Sequence, residues 1–117
     1  VMILDALQLR LLEKIRSDLA GYSVVRSTSP LDNRAIWLEI FAGGIHKGNS
    51  CQTLLKKLNI NCKEVAGLGN DYNDIDFLDI CAEAYLVANA PVNLQRHYKL
   101  VKSDKEEGFT EFISKVL

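Results

Sequence analysis

The chain has 117 residues, of which 48% are hydrophobic and 25% are charged. This composition is typical of a globular domain and excludes a disordered, collagen-like or coiled-coil protein. With 14 basic and 15 acidic residues the net charge is −1, so we expect no nucleic-acid partner and no binding to an anionic membrane. No apolar run approaches the ~20 residues that a membrane-spanning helix needs.

The cysteines favour a reducing compartment. Cys51, Cys62 and Cys81 are odd in number and form no CxxC pair, so they cannot close a complete disulfide framework. Asp5 and Arg10 interrupt the apolar start, which is unlike a signal peptide. The sequence therefore predicts a cytoplasmic protein.

The first part of the chain is predicted to form a helix followed by a β-hairpin. Apolar residues recur at helical spacing from Leu4 to Leu19, and Gly21 follows where a helix would end. Residues 22–28 and 34–42 are rich in β-branched and alternating apolar residues, and the turn sequence of residues 29–33 separates them. These two strands are expected to pair.

Gly43-Gly44 ends this pattern, and we divide the chain into residues 1–45 and 46–117. In the second part, short apolar strands alternate with helices, which predicts an α/β fold with a parallel sheet. The expected elements are a helix from about Gly48, a strand at 64–68, a helix at 75–80, a strand at 84–88, a short helix at 92–97, a strand at 99–102 and a final helix from about Phe109.

Short oxygen-bearing side chains follow the first strand of the predicted parallel sheet, at the edge where such sheets bind ligands. A hard cation such as Mg²⁺ prefers oxygen ligands of this kind. The alternative is that Asn73 or Asp74 caps the next helix, and spacing alone leaves both interpretations open. The candidates are Asn70, Asp71, Asn73, Asp74 and Asp76.

Lys47 and Gly48 stand at the predicted start of a helix. A lysine there opposes the helix dipole unless an anion joins it, and the free N–H groups would then help to bind phosphate. A solvated surface lysine is the alternative. Gly67-Leu68-Gly69 is a poor dinucleotide-binding motif, because Tyr72 stands where its third glycine is needed.

Five short motifs follow one another along the chain: Leu38-Glu39-Ile40, Lys47-Gly48, Gly69-Asn70-Asp71-Tyr72-Asn73-Asp74, Asn89-Ala90 and Glu107-Gly108. Their order resembles the C-terminal half of a haloacid dehalogenase-superfamily phosphatase, most closely its Cof-type branch. The resemblance covers residues 34–117 and implies half of a Rossmann-like core, preceded in residues 1–45 by a remnant of an α+β cap domain.

The resemblance implies that an aspartate attacks a phosphate monoester with the help of Mg²⁺. Lys47 would offset charge at the phosphoryl group, with Gly48 and Asn73 beside the phosphate. Asp74 would orient Lys47 or a metal-bound water. Asn70 would bind the metal although the family usually has aspartate there, and Asp71 is the alternative ligand.

The 117 residues contain no DxDGT-like nucleophile segment. The resemblance then places the nucleophile upstream of Val1, and the chain is interpreted as an inactive fragment of a phosphatase. The complete phosphatase that contains this chain is expected to act on small phosphorylated metabolites such as sugar phosphates or phosphorylated cofactors. The alternative is a non-catalytic α/β module that binds a partner or self-associates, with homo-oligomers expected to form through an exposed sheet edge.

Overall fold

The computed structural model describes residues 1–5, 8–29, 31 and 34–117. The chain divides into two compact units, residues 1–46 and residues 47–117. Within these described ranges, no helix has both the length and the apolar character that a membrane crossing requires.

The first unit is a three-stranded antiparallel sheet with one helix. Its elements in chain order are β1 (Met2–Asp5), α1 (Leu9–Asp18), β2 (Tyr22–Thr28) and β3 (Ala35–Ala42). The central strand β3 pairs with both neighbours, in the order β1-β3-β2. A small apolar core forms between α1 and the sheet, because alternate residues of β3 share one face. This core contains Leu4, Leu12, Ile36 and Leu38, with Ile15 and Val24 at its margin.

The predicted hairpin is confirmed, since β2 and β3 pair in register from Tyr22 opposite Ala42 to Thr28 opposite Ile36. Within the predicted turn, the residues at positions 30, 32 and 33 lie outside the described part of the chain. The predicted first helix is confirmed over Leu9–Asp18, but its predicted start at Leu4 is wrong, because residues 2–5 form β1. Leu4 lies opposite Ile36 in the sheet, a contact between distant residues that helical spacing cannot reveal.

The second unit is a parallel sheet with helices, as predicted. Its strands pair in the order β4-β5-β6, and both pairings are parallel. The elements in chain order are α2 (Lys47–Leu58), β4 (Ala66–Gly69), α3 (Ile75–Leu78), β5 (Glu83–Val87), α4 (Val92–Gln95), β6 (Lys99–Val101) and α5 (Gly108–Val116).

The core of the second unit surrounds the central strand β5, in which Tyr85, Leu86 and Val87 are all buried. The ring of Phe112 from α5 meets Tyr85 edge to face, with 5.4 Å between the ring centroids. A strand flanked on both sides by parallel partners must be apolar on both faces. The run of apolar residues from 84 to 87 meets that requirement, which is why the sequence pattern identified this strand.

Candidate functional site

The carboxyl ends of β4, β5 and β6 lie at one edge of the second sheet, because the three strands are parallel. Beyond β4 the chain enters a 3-10 turn, Tyr72–Asp74, that leads directly into α3. Lys47 begins α2 beside this turn, and its Nζ donates a hydrogen bond to Oδ1 of Asp74. The structure thus brings together two candidate residues that are 27 positions apart in sequence.

Asp74 is the centre of this site. Its side chain is 7% exposed, and its Oδ2 accepts the backbone N–H groups of Asn70 at 2.8 Å and Asp71 at 3.2 Å. With Lys47 as a third donor, the carboxylate is held on both oxygens. Charge-assisted bonds of this kind are stronger than neutral ones. Asp74 therefore fixes the loop after β4 and directs the ammonium group of Lys47, whose side chain remains 52% exposed.

Gly48 is buried at the start of α2. A Cβ atom at this position would collide with the carbonyl oxygen of Asp76 and lie 3.0 Å from its Cβ. The absence of a side chain lets the first turn of α2 approach α3 closely. This close approach keeps Lys47 next to Asp74.

The side chain of Asn73, in the 3-10 turn at this edge, has an unsatisfied acceptor. Its Oδ1 is buried and has no hydrogen-bond partner among the described residues. A buried acceptor without a partner costs about 1–3 kcal/mol, so its presence in a folded protein calls for an explanation. The amide can offer its oxygen to a cation or, after rotation, its NH₂ group to an anion. Asn73 therefore suits a bound ion or ligand.

The sequence offered Asn73 or Asp74 as the cap of the next helix, and the capping in the structure differs from both. The side chain of Asp71 accepts the N–H of Tyr72 at 2.7 Å, and Asp71 and Asp74 form a reciprocal capping box around the 3-10 turn. Asn73 makes no such cap, and Asp74 makes no side-chain cap on α3. Sequence analysis missed the capping role of Asp71, although an acidic residue followed three positions later by another is a capping-box signal.

The donors at this edge suit a metal such as Mg²⁺ only as part of a larger set. In the described part of the chain, no three His, Cys, Asp or Glu side chains form a cluster that could hold a metal ion. Asn70 is exposed and offers an amide oxygen, while Asp71 is buried and already occupied as a cap. Protein Mg²⁺ sites commonly combine one or two carboxylates with waters and substrate phosphate, and the oxygen-only chemistry here fits such a partial set.

Comparison with known proteins relates this chain to one enzyme family. A putative phosphatase of Streptococcus pyogenes serotype M6 is 27% identical over 95 residues, which cover 80% of this chain and 33% of that protein. The chain thus spans about a third of the length of this curated relative.

Solved structures of similar fold are also longer than this chain. SMU.1108c from Streptococcus mutans is 27% identical with a TM-score of 0.74, and the match covers 92% of this chain and 40% of that one. The subclass IIB sugar phosphatase BT4131 of the haloacid dehalogenase (HAD) superfamily is 14% identical with a TM-score of 0.73, covering 88% of this chain and 38% of that one. This second likeness concerns the fold alone.

The sequence itself matches the family model for haloacid dehalogenase-like hydrolases over residues 4–113. This match covers nearly the whole chain and agrees with the resemblance found from its motifs. The chain belongs to the haloacid dehalogenase-like hydrolase family.

Proposed function

We propose that the carboxyl edge of the second sheet is one half of the active site of a Mg²⁺-dependent phosphatase of Cof type. The observation that carries the proposal is the contact between Lys47 and the buried Asp74, next to the unsatisfied amide of Asn73. A fixed cation beside an unpaired amide suits a phosphoryl group that gains charge during the reaction.

In the proposed reaction, a carboxylate oxygen of an aspartate forms a bond to phosphorus while the bond from phosphorus to the ester oxygen breaks and the alcohol leaves. Water then hydrolyses the aspartyl-phosphate and releases inorganic phosphate. Lys47 offsets negative charge on the phosphoryl oxygens, and Asp74 orients Lys47. Asn73 and the backbone N–H of Gly48, at the start of α2, bind the phosphate.

The attacking aspartate is proposed to come from a segment outside the 117 residues. Two facts support this part of the proposal. The chain contains no DxDGT-like segment, and it spans only 33% of its Streptococcus pyogenes relative. The 117 residues alone are then expected to be inactive.

Bound Mg²⁺ would neutralise charge on the phosphate and help to place it. Asn70 would hold the ion through its amide oxygen, with Asp74 behind it and Asp71 as the alternative ligand. Asn70 is favoured over Asp71 because the Asp71 carboxylate already accepts the N–H of Tyr72. A neutral ligand predicts weak affinity until substrate phosphate joins the site.

The proposed substrates are small phosphorylated metabolites, and likeness in fold to a sugar phosphatase supports sugar phosphates among them. Residues 1–45 are proposed to be part of a cap domain that contributes to substrate choice. The three cysteines are free thiols, which supports a cytoplasmic location.

The test compares two lysines in the complete protein that contains this chain. Lys47→Met removes the proposed phosphate contact. Lys99→Met removes a similar ion pair, with Glu83 at 2.8 Å, near the opposite end of the same sheet. With p-nitrophenyl phosphate and Mg²⁺, we expect Lys47→Met to lower kcat/KM by about 100-fold or more, while Lys99→Met stays within about twofold of the unmodified protein.

Equal activity of the two variants would refute the role of Lys47. A complete protein with no activity on a panel of sugar phosphates and other phosphate monoesters would favour the non-catalytic module instead.

A further inference from the structure

Hydrogen bonds between side chains connect the loops that follow the three parallel strands. The hydroxyl of Tyr72, in the loop after β4, donates to Oδ1 of Asn93 on α4 at 2.7 Å. After β5, Nδ2 of Asn89 donates to Oδ1 of Asp104 at 2.8 Å, and the N–H of Asp104 donates back to Oδ1 of Asn89 at 3.2 Å. The three loops of the candidate site are therefore tied together across the sheet edge.

Contacts hold Tyr72 through its ring, its hydroxyl and its backbone N–H. Its ring packs against the apolar core of the second unit, its hydroxyl bonds Asn93, and its N–H bonds the carboxylate of Asp71. The next residue in the chain is Asn73. A rotation of the turn that displaced the backbone of Asn73 would also move Tyr72 and strain its hydrogen bond with Asn93.

We propose that Tyr72 and Asn93 are positioning residues that hold the amide of Asn73 in place for ligand binding. The kinetic form of this proposal depends on the phosphatase function proposed above. The structural form, that this hydrogen bond sets the position of Asn73, does not depend on it.

The same unit contains a matched control. The hydroxyl of Tyr98 donates to Oδ1 of Asp79, also at 2.7 Å and also exposed, and its ring packs against the same core. Tyr98 directly precedes β6 and Asp79 directly follows α3, so this bond lies away from the carboxyl ends of the strands. Tyr98→Phe removes a similar hydrogen bond without touching the candidate site.

In the complete protein, we expect Tyr72→Phe to lower kcat/KM for p-nitrophenyl phosphate roughly three- to tenfold, the change that the loss of one neutral hydrogen bond can produce. Tyr98→Phe should leave kcat/KM unchanged while lowering the melting temperature at least as much as Tyr72→Phe, because the bond from Tyr98 to the Asp79 carboxylate is charge-assisted. In an Asn73→Ala background, Tyr72→Phe should have no further effect on kcat/KM, because Tyr72 acts through Asn73. Asn93→Leu combined with Tyr72→Phe should lose no more than either change alone.

Equal kinetic effects of the two tyrosine changes would overturn the positioning role. So would an effect of Tyr72→Phe that persists after Asn73→Ala, since Tyr72 would then act by another route. A second readout needs no activity: in ¹⁵N NMR spectra, the side-chain NH₂ signals of Asn73 should shift on Tyr72→Phe and stay in place on Tyr98→Phe. Unmoved Asn73 signals in both variants would refute the proposal even in a protein that hydrolyses nothing.

Discussion

Replacing Asp74 by alanine tests the hydrogen-bond network at the centre of the site. The change removes the acceptor for three donors: the ammonium group of Lys47 and the N–H groups of Asn70 and Asp71. Asp74→Asn removes the charge but keeps an amide oxygen that can accept the two N–H groups. The pair of variants therefore separates the role of the acceptor from the role of the charge.

The cost of each change follows from the exposure of the three donors. Asp71 is buried, so its N–H would lose about 1–3 kcal/mol without a partner. Asn70 is exposed and its N–H can bond water, at a cost of about 0.5–1 kcal/mol. Lys47 is half exposed, and pairs with solvent access contribute about 0–1 kcal/mol. We expect Asp74→Ala to destabilise the second unit by about 1.5–5 kcal/mol and Asp74→Asn, which loses mainly the ion pair, by about 1 kcal/mol.

Amide hydrogen exchange at Leu86 in the buried centre of β5 measures this free energy, because its N–H exchanges only when the second unit opens. The control is Lys115→Ala, which removes the partly exposed ion pair with Glu111 on α5 and should change stability little. Equal losses for Asp74→Ala and Asp74→Asn would show that charge rather than N–H acceptance matters. A loss below about 0.5 kcal/mol for Asp74→Ala would contradict the network itself.

Three further outcomes are expected. Gly108→Ala should destabilise the second unit by at least about 1–3 kcal/mol in urea denaturation, because a Cβ there would collide with the carbonyl oxygen of Lys102. Burial raises the pKa of Cys81 to about 11. At pH 8, iodoacetamide should therefore modify Cys81 about tenfold more slowly than the exposed Cys62, because the low thiolate fraction of Cys81 outweighs the greater nucleophilicity of its thiolate. Mass spectrometry can follow both reactions. Asn70→Asp should tighten Mg²⁺ binding in calorimetry without changing the circular dichroism spectrum, and weaker binding would contradict a ligand role.

Local sequence patterns predicted most elements of the fold. The alternating residues of β2 and β3 and the apolar run of β5 are short-range signals, and the structure confirms the hairpin and the parallel sheet. The strand β1 was missed because its pairing with β3 joins residues 30 to 36 positions apart. Its apolar residues also continued the spacing of the helix that follows, so the pattern favoured one long helix.

The candidate site was only partly predictable. The order of family motifs grouped Lys47 with Asp74. These residues are 27 positions apart in the sequence, so their spacing alone does not indicate that they pair. The capping role of Asp71 and the bond between Tyr72 and Asn93 depend on side-chain directions in loops. Such directions are set by the packing of neighbouring elements, and no sequence periodicity encodes them.

The most direct test of the proposed active site is a crystal structure of the complete protein with Mg²⁺ and orthovanadate, which resembles the phosphoryl group in transfer. The account predicts the anion at the carboxyl edge of the second sheet, with Nζ of Lys47 and the amide of Asn73 each within about 3.2 Å of its oxygens. An anion bound elsewhere, with Lys47 still contacting only Asp74, would contradict it.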